Sequence, residues 1–183
     1  IASAMAYLHH EHKPSIVHRD LKSPNILMQG AGLQVKLTDF GLARSCAGTY
    51  LTTVQGGGSP AWMAPEQLKG DRARDAVDVY SFGVIMWEIG TGDVPWSGRK
   101  FADIVRQVGL LHEMLDVRDF DERMVRHMGS VPRDVLSSYR TLMIECLSHD
   151  PARRPSADQC VQRIGALRLL PSVFRQFRSG NLR

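Results

Sequence analysis

Residues 18–25 read His18-Arg19-Asp20-Leu21-Lys22-Ser23-Pro24-Asn25, and the rest of the chain is placed by working outward from them. One short loop here holds a carboxylate, an ammonium and a side-chain amide. Asp20 offers an acceptor for a proton, Lys22 a charge to neutralise a phosphate, and Asn25 an amide oxygen for a hard cation. Together these are the groups that phosphoryl transfer requires. Taken singly, Asp20 and Asn25 read as turn formers beside a proline. Only their joint spacing, with Asn25 five residues after Asp20, points to chemistry.

Ser15-Ile16-Val17 leads into this loop as a short extended piece, and Ile26-Leu27-Met28 leaves it. After a turn at Gln29-Gly30-Ala31-Gly32, Leu33, Val35 and Leu37 alternate with Gln34, Lys36 and Thr38, the pattern of a half-buried strand. That hairpin delivers Asp39-Phe40-Gly41, and Ala64-Pro65-Glu66 follows further on. In this order, H-R-D-x-x-x-x-N, D-F-G and A-P-E resemble the catalytic half of a eukaryotic protein kinase.

The resemblance implies a role for each matching residue. Asp20 orients the substrate hydroxyl and accepts its proton, Lys22 sits near the transferred phosphate of ATP, and Asn25 and Asp39 hold Mg2+ against the nucleotide. His18 and Phe40 pack to fix the loop and the metal-binding turn, which Gly41 completes. Arg19 is the cation that meets a phosphate on the activation segment, where a plain surface ion pair would contribute only about 0 to 1 kcal/mol. That segment is expected between Leu42 and Met63, rich in glycine (Gly48, Gly56, Gly57, Gly58) and in hydroxyls. Ser45, Thr49, Thr52, Thr53 and Ser59 are its candidate regulatory sites, and Gly58-Ser59-Pro60-Ala61-Trp62-Met63 resembles the wall that receives the substrate residue after the phosphoacceptor.

Asp75 to Thr91 is apolar on nearly every side, which predicts a buried helix and resembles the central helix of the kinase large lobe. Asp78 is then the acceptor for backbone N–H groups of the His18–Asp20 loop. Phe101, Ile104, Val105 and Val108 recur at helical spacing, as do Leu136, Tyr139, Leu142, Met143 and Cys146. Leu110 to Arg133 shows no clear period and is left unassigned. Asp150-Pro151-Ala152-Arg153-Arg154-Pro155 resembles the family's D-P-x-x-R-P, which pairs Arg154 with Glu66, and a final helix is expected from Ser156 to Leu170. L-K-S-P-N and W-M-A-P-E together look most like the tyrosine-kinase-like group, whose members phosphorylate serine and threonine.

The fold class expected is therefore mainly α: a kinase-like large lobe, a helical bundle with short β-hairpins, spanning residues 1–170 and followed by a basic tail over 171–183. Ile1, Met5 and Leu8 lie on one helix face without a preceding cap, so the chain is expected to begin within a helix. A kinase also needs a Gly-rich strand, a strand lysine and its glutamate partner, and none is present in these 183 residues. The expectation is that the N-terminal lobe is missing and is a required partner, along with ATP and protein substrates.

Composition fits one soluble unit, 43% hydrophobic and 23% charged. The net charge of +4 sits in the tail, since five arginines and no acids follow Asp158. This is too sparse a cluster to predict nucleic-acid binding. No apolar run is long enough to span a membrane, and no signal segment opens the chain, so a cytoplasmic protein is expected. Cys46, Cys146 and Cys160 form no Cys-x-x-Cys pair and read as free thiols. His9, His10 and His12 lack a further ligand at zinc spacing. Three functions remain open: a partial Ser/Thr kinase inactive alone, a non-catalytic kinase-like scaffold, and a tyrosine-specific kinase.

Overall fold

A computed structural model of the chain describes residues 1–30, 34–45, 59–71 and 74–167. Helix α1 (Ala2–Ala6) runs on into a π-helical turn, Tyr7–Glu11, and buries Met5 and Leu8 as their spacing predicts. Four short strands follow: β1 (Ile16–Val17), β2 (Ile26–Gln29), β3 (Gln34–Leu37) and β4 (Arg44–Ser45). They pair antiparallel as β1 with β4 and β2 with β3, and Ile26 faces Leu37 in the second pair. The second ribbon departs from its expected half-burial. Val35 is exposed, as are Leu27 and Met28 on the partner strand, and only Ile26 and Leu37 at the base pack on the core. A two-stranded ribbon has two faces, and the body of the molecule reaches this one only at its root.

Helices make up the rest: α2 (Pro65–Lys69), α3 (Ala76–Thr91), α4 (Phe101–Ile104) continuing as a π turn through Leu110, α5 (Phe120–Met128), α6 (Arg133–Cys146) and α7 (Ala157–Ala166). In α3, thirteen of sixteen residues are buried, so this helix is the axis of the core rather than one side of it. Two glycines allow that. A Cβ on Gly83 would stand 2.8 Å from the Cys146 side chain of α6, and one on Gly90 would stand 2.4 Å from the Phe120 ring of α5. Gly92, at φ 73°, ends the helix in the left-handed conformation that glycine adopts without strain. Tyr139 of α6 donates to the Met86 carbonyl at 2.9 Å, and Trp87 to the Asp116 carbonyl at 2.9 Å.

Three expectations are amended. In α4, Ile104 and Val108 are buried but Phe101 is exposed, because it sits in the first turn, where the helix emerges from the core. The unassigned stretch contains α5, whose Phe120 and Met124 are fully buried at i, i+4, with acids in its first turn and Arg126 and His127 in its last. Helix α7 is capped by a reciprocal pair, Ser156 Oγ accepting from Gln159 N and Gln159 Oε1 from Ser156 N, but ends at Ala166 rather than Leu170. Gly165 weakens its last turn and Leu167 is already extended. Residues 168–183, including the basic tail, lie outside the described residues. Cys146 and Cys160 are buried free thiols with sulfurs 3.9 Å apart across α6 and α7. No described helix is long and apolar enough to cross a membrane.

Candidate active site

The loop of residues 18–25 is held from below by α3. Asp78, fully buried, accepts from His18 N and Arg19 N at 2.8 Å each, and from His9 Nε2 at 2.8 Å. The sequence treats His9 only as one of three histidines without a further ligand at zinc spacing. Its partner is 69 residues away, so no local spacing signals the pair. Arg19 adopts φ 69°, uncommon for a residue with a side chain. Its peptide is clamped on both sides, by Asp78 at the nitrogen and by Gln67 Nε2 at the carbonyl oxygen, 3.1 Å away. Strain of this kind persists only where surroundings over-determine it, and it concentrates at functional sites. Gln67 also accepts from Ala64 N at 3.1 Å, so this side chain, unremarked in the sequence, ties α2 to the loop.

Above that anchor the polar groups converge. Lys22 Nζ donates to Asp20 Oδ2 at 2.7 Å and to Ser59 Oγ at 2.9 Å. Asn25 Nδ2 donates to the Asp20 carbonyl at 2.8 Å and lies 3.3 Å from Asp20 Oδ2. With its nitrogen turned to Asp20, the amide oxygen of Asn25 is left as the group for a cation. Asp20 and Asn25 are buried, which strengthens each of these interactions relative to water. Ser59, a candidate regulatory hydroxyl by sequence, lies against Lys22.

The β2–β3 register brings in the third element. Thr38 donates to the Asn25 carbonyl through both its backbone N, at 3.0 Å, and its hydroxyl, at 3.2 Å, so Asp39 follows directly beside Asn25. Asp39 is left-handed at φ 61° and accepts from Gly41 N at 3.3 Å. A Cβ on Gly41 would come within 3.1 Å of Asp39 Oδ1. The His18 ring donates from Nε2 to the Thr38 carbonyl at 3.1 Å and lies 4.8 Å from the Phe40 ring. Phe40 packs there on one face and is otherwise exposed.

Two further contacts frame the site. Arg154 grips Glu66 through a bidentate pair, Nη1 to Oε1 at 2.6 Å and Nη2 to Oε2 at 2.8 Å. Its Nε also donates to the Ser148 carbonyl at 2.7 Å and its Nη1 to Ala76 at 2.9 Å. On the other side, Glu88 of α3 accepts from Ser23 Oγ at 2.8 Å and from Trp62 Nε1 at 2.7 Å. Burial pushes its carboxyl above the usual glutamate range, against the lowering effect of those two hydrogen bonds. No local spacing in the sequence marks Glu88, because its partners lie 65 and 26 residues away. The Ser45 side chain, Thr49, Thr52 and Thr53 lie outside the described residues.

Among the described residues no cluster of three or more His, Cys, Asp and Glu is arranged to hold a metal. The donor set present is one carboxylate and one amide oxygen, Asp39 and Asn25. Magnesium is commonly bound by one or two protein oxygens with substrate phosphates and water completing its shell, so these residues fit it.

The protein kinase domain family matches residues 1–164. The chain is 38% identical over 156 residues to the serine/threonine-protein kinase CTR1 of Arabidopsis thaliana, covering 85% of this chain and 17% of that protein. It is 46% identical over 119 residues to the probable serine/threonine-protein kinase SIS8 of the same plant, covering 65% of this chain and 11% of that protein. It is also 36% identical over 174 residues to the mitogen-activated protein kinase kinase kinase 11 of Rattus norvegicus, covering 91% and 19%. The chain thus spans less than a fifth of the length of these curated relatives. With the three motifs, the fold around α3 and these matches in agreement, the chain belongs to the protein kinase domain family, in its tyrosine-kinase-like branch.

Proposed function

We propose that this chain is the large lobe of a cytoplasmic protein serine/threonine kinase, which transfers the γ-phosphate of ATP to serine and threonine hydroxyls of protein substrates. The observation that carries this reading is the convergence of Asp20, Lys22, Asn25 and Ser59 within 3.3 Å contacts, next to Asp39. Asp20, its Oδ2 held between Lys22 and Asn25, orients the substrate hydroxyl and takes its proton as the oxygen attacks. Lys22 offers positive charge where the transferring phosphoryl group becomes more negative. Asn25 and Asp39 would hold magnesium, which when bound neutralises charge on the nucleotide phosphates. Ser59 fixes Lys22 and begins the wall, residues 59–63, on which the peptide rests.

In the same reading Arg19 meets a phosphate on the activation segment, whose Ser45, Thr49, Thr52 and Thr53 are candidate acceptors. His18, Phe40, Gly41, Glu66, Asp78 and Arg154 hold the frame. The family's small lobe supplies the groups that cover ATP, and residues 1–183 are proposed to act together with such a lobe. The test is ATP-dependent labelling of Ser- and Thr-containing peptides, with Tyr-containing controls, by the full-length protein. Labelling of Ser and Thr that is lost in Asp20→Asn is expected. Labelling of Tyr alone, or no labelling in the parent, overturns the assignment.

A further inference from the structure

Away from the catalytic loop, α6 and α7 bring two thiols together. Cys146 is the last residue of α6, and Cys160 lies one turn into α7. Their sulfurs are 3.9 Å apart and both side chains are buried. Two thiols so placed share a weak hydrogen bond and are also within reach of a covalent one.

The two are held unequally. Cys146 is fixed against α3, where a Cβ on Gly83 would stand 2.8 Å from its own Cβ. Helix α7 is shallow, since of its ten residues only Ala157 and Cys160 are buried. Its start is fixed by the Ser156–Gln159 cap, whereas its last turn carries Gly165. A short helix with little buried surface opens at a lower free energy than the whole domain, and opening α7 uncovers Cys160.

Electrostatics select the same residue. Arg163, three residues after Cys160, pairs with Glu145, which directly precedes Cys146, so an ion pair spans the same two helices beside the thiols. The hydrogen bond shared with Cys146 lowers the Cys160 thiol, and the Arg163 guanidinium acts in the same direction. Cys146 is pushed up by that hydrogen bond and by burial. The thiolate is the reactive form, so Cys160 is the nucleophile and Cys146 its resolving partner.

We propose that Cys146 and Cys160 form a redox clasp, which hydrogen peroxide closes into an intrachain disulfide pinning α7 to α6 and which thiols reopen. The Cys160 thiolate attacks one peroxide oxygen, the O–O bond breaks and hydroxide leaves, so the sulfur is oxidised to a sulfenic acid as peroxide is reduced. Cys146 then gives up its proton and attacks that sulfur. The S–S bond forms, the S–O bond breaks, and the oxygen leaves as water. The bridge closes residues 147–159, the segment that carries Arg154 and its grip on Glu66. In a reducing compartment such a bridge is transient, as a switch requires.

The test is peroxide treatment of the native full-length protein, followed by blocking of free thiols and tryptic digestion without reduction. Trypsin cuts after Arg153 but not between Arg154 and Pro155, so the two cysteines fall in separate peptides, 141–153 and 154–163. The expected product is these two peptides linked, lighter than their sum by a pair of hydrogens and separated by dithiothreitol. Amide hydrogen exchange over residues 157–166 should slow about 10-fold or more on oxidation, because the bridge suppresses local opening of α7. Cys160→Ala should show neither the link nor the slowing. If that variant does not fold, the linked peptides of the parent and their release by dithiothreitol decide alone. The absence of the link in native buffer, a link to Cys46 instead, a link formed only in denaturant, or unchanged exchange in the linked protein each overturns the proposal. None of these readouts requires phosphoryl transfer, so they are separate from the test of the kinase reading.

Discussion

At the scale of single residues, the proposed reading gives Asp20, Lys22 and Asp39 different work, so their variants should fail differently. Asp20 is held by Lys22 and Asn25, whereas Asp39 accepts from Gly41 N within its own turn. In the full-length protein Asp20→Asn is expected to lower kcat by about 10²- to 10⁴-fold and leave ATP affinity nearly intact. Asp39→Asn should weaken magnesium-dependent ATP binding as well as rate, with partial recovery at higher magnesium. Lys22→Ala should lower the rate without altering metal dependence. ATP affinity measured with and without magnesium separates the three, and the assignment of base and metal ligand fails if Asp20→Asn abolishes metal-dependent binding while Asp39→Asn keeps it.

Glu88 adds a pH effect at the same scale. Its carboxyl is raised in the folded chain because burial outweighs the hydrogen bonds from Trp62 and Ser23. A raised acid binds its proton more tightly in the folded state, so its stabilising contribution is fully present below the ordinary glutamate range and is lost as pH rises through the folded value. The stability of Glu88→Gln relative to the parent is therefore expected to increase from acid to neutral pH and then level off. Denaturant unfolding of both proteins across that range checks it, and the opposite trend would mean that the hydrogen bonds prevail over burial.

At the scale of elements, the helices are joined where side chains leave no slack. Arg154 connects the segment after α6 to Glu66 in α2, with further bonds to Ser148 and Ala76, and both charges are buried. Removing one partner leaves the other charge uncompensated, so Arg154→Ala is expected to cost about 3 to 5 kcal/mol of stability. Chemical denaturation measures this, and a loss below about 1 kcal/mol would place the pair among weak surface bridges. The α3–α5 crossing offers a second case. Gly90→Ala sets a methyl 2.4 Å from the Phe120 ring. Overpacking of that kind costs about 1 to 3 kcal/mol, and Phe120→Leu in the same chain should recover part of it. A neutral Gly90→Ala would show that the ring yields freely.

At the scale of the whole molecule, the β2–β3 ribbon presents Leu27, Met28 and Val35 to solvent, with Phe40 exposed at its base. Met28 and Val35 are cross-strand neighbours on one face of the ribbon and Leu27 lies on the other, and exposed apolar side chains of this sort seek a partner. Purified residues 1–183 are expected to self-associate as concentration rises and to show no phosphoryl transfer alone. Sedimentation velocity reads the first, and a sharp monomer at high concentration contradicts it. Replacing Leu27 and Met28 with lysine should return the chain to a monomer without unfolding it, since neither side chain is in the core.

The sequence alone determined what depends on local order. The catalytic loop, the D-F-G turn and the A-P-E helix start are legible because their spacing along the chain is itself the signal, and α3 because an all-round apolar helix has nowhere to be but inside. The α6 stripe is legible because its apolar residues recur at helical spacing, while α5 is not, because its two buried residues, Phe120 and Met124, are too few to establish a period among charged neighbours. The family resemblance also implied two links between distant residues, Asp78 beneath the His18–Asp20 loop and Arg154 on Glu66, and tertiary structure decided the others. His9 meets Asp78 across 69 positions, Gln67 reaches Arg19 across 48, and Glu88 gathers Ser23 and Trp62 from two different segments. A hydrogen bond reads distance in space and leaves no periodic trace in the chain, so these partners become visible only when α3 is in place beneath both segments.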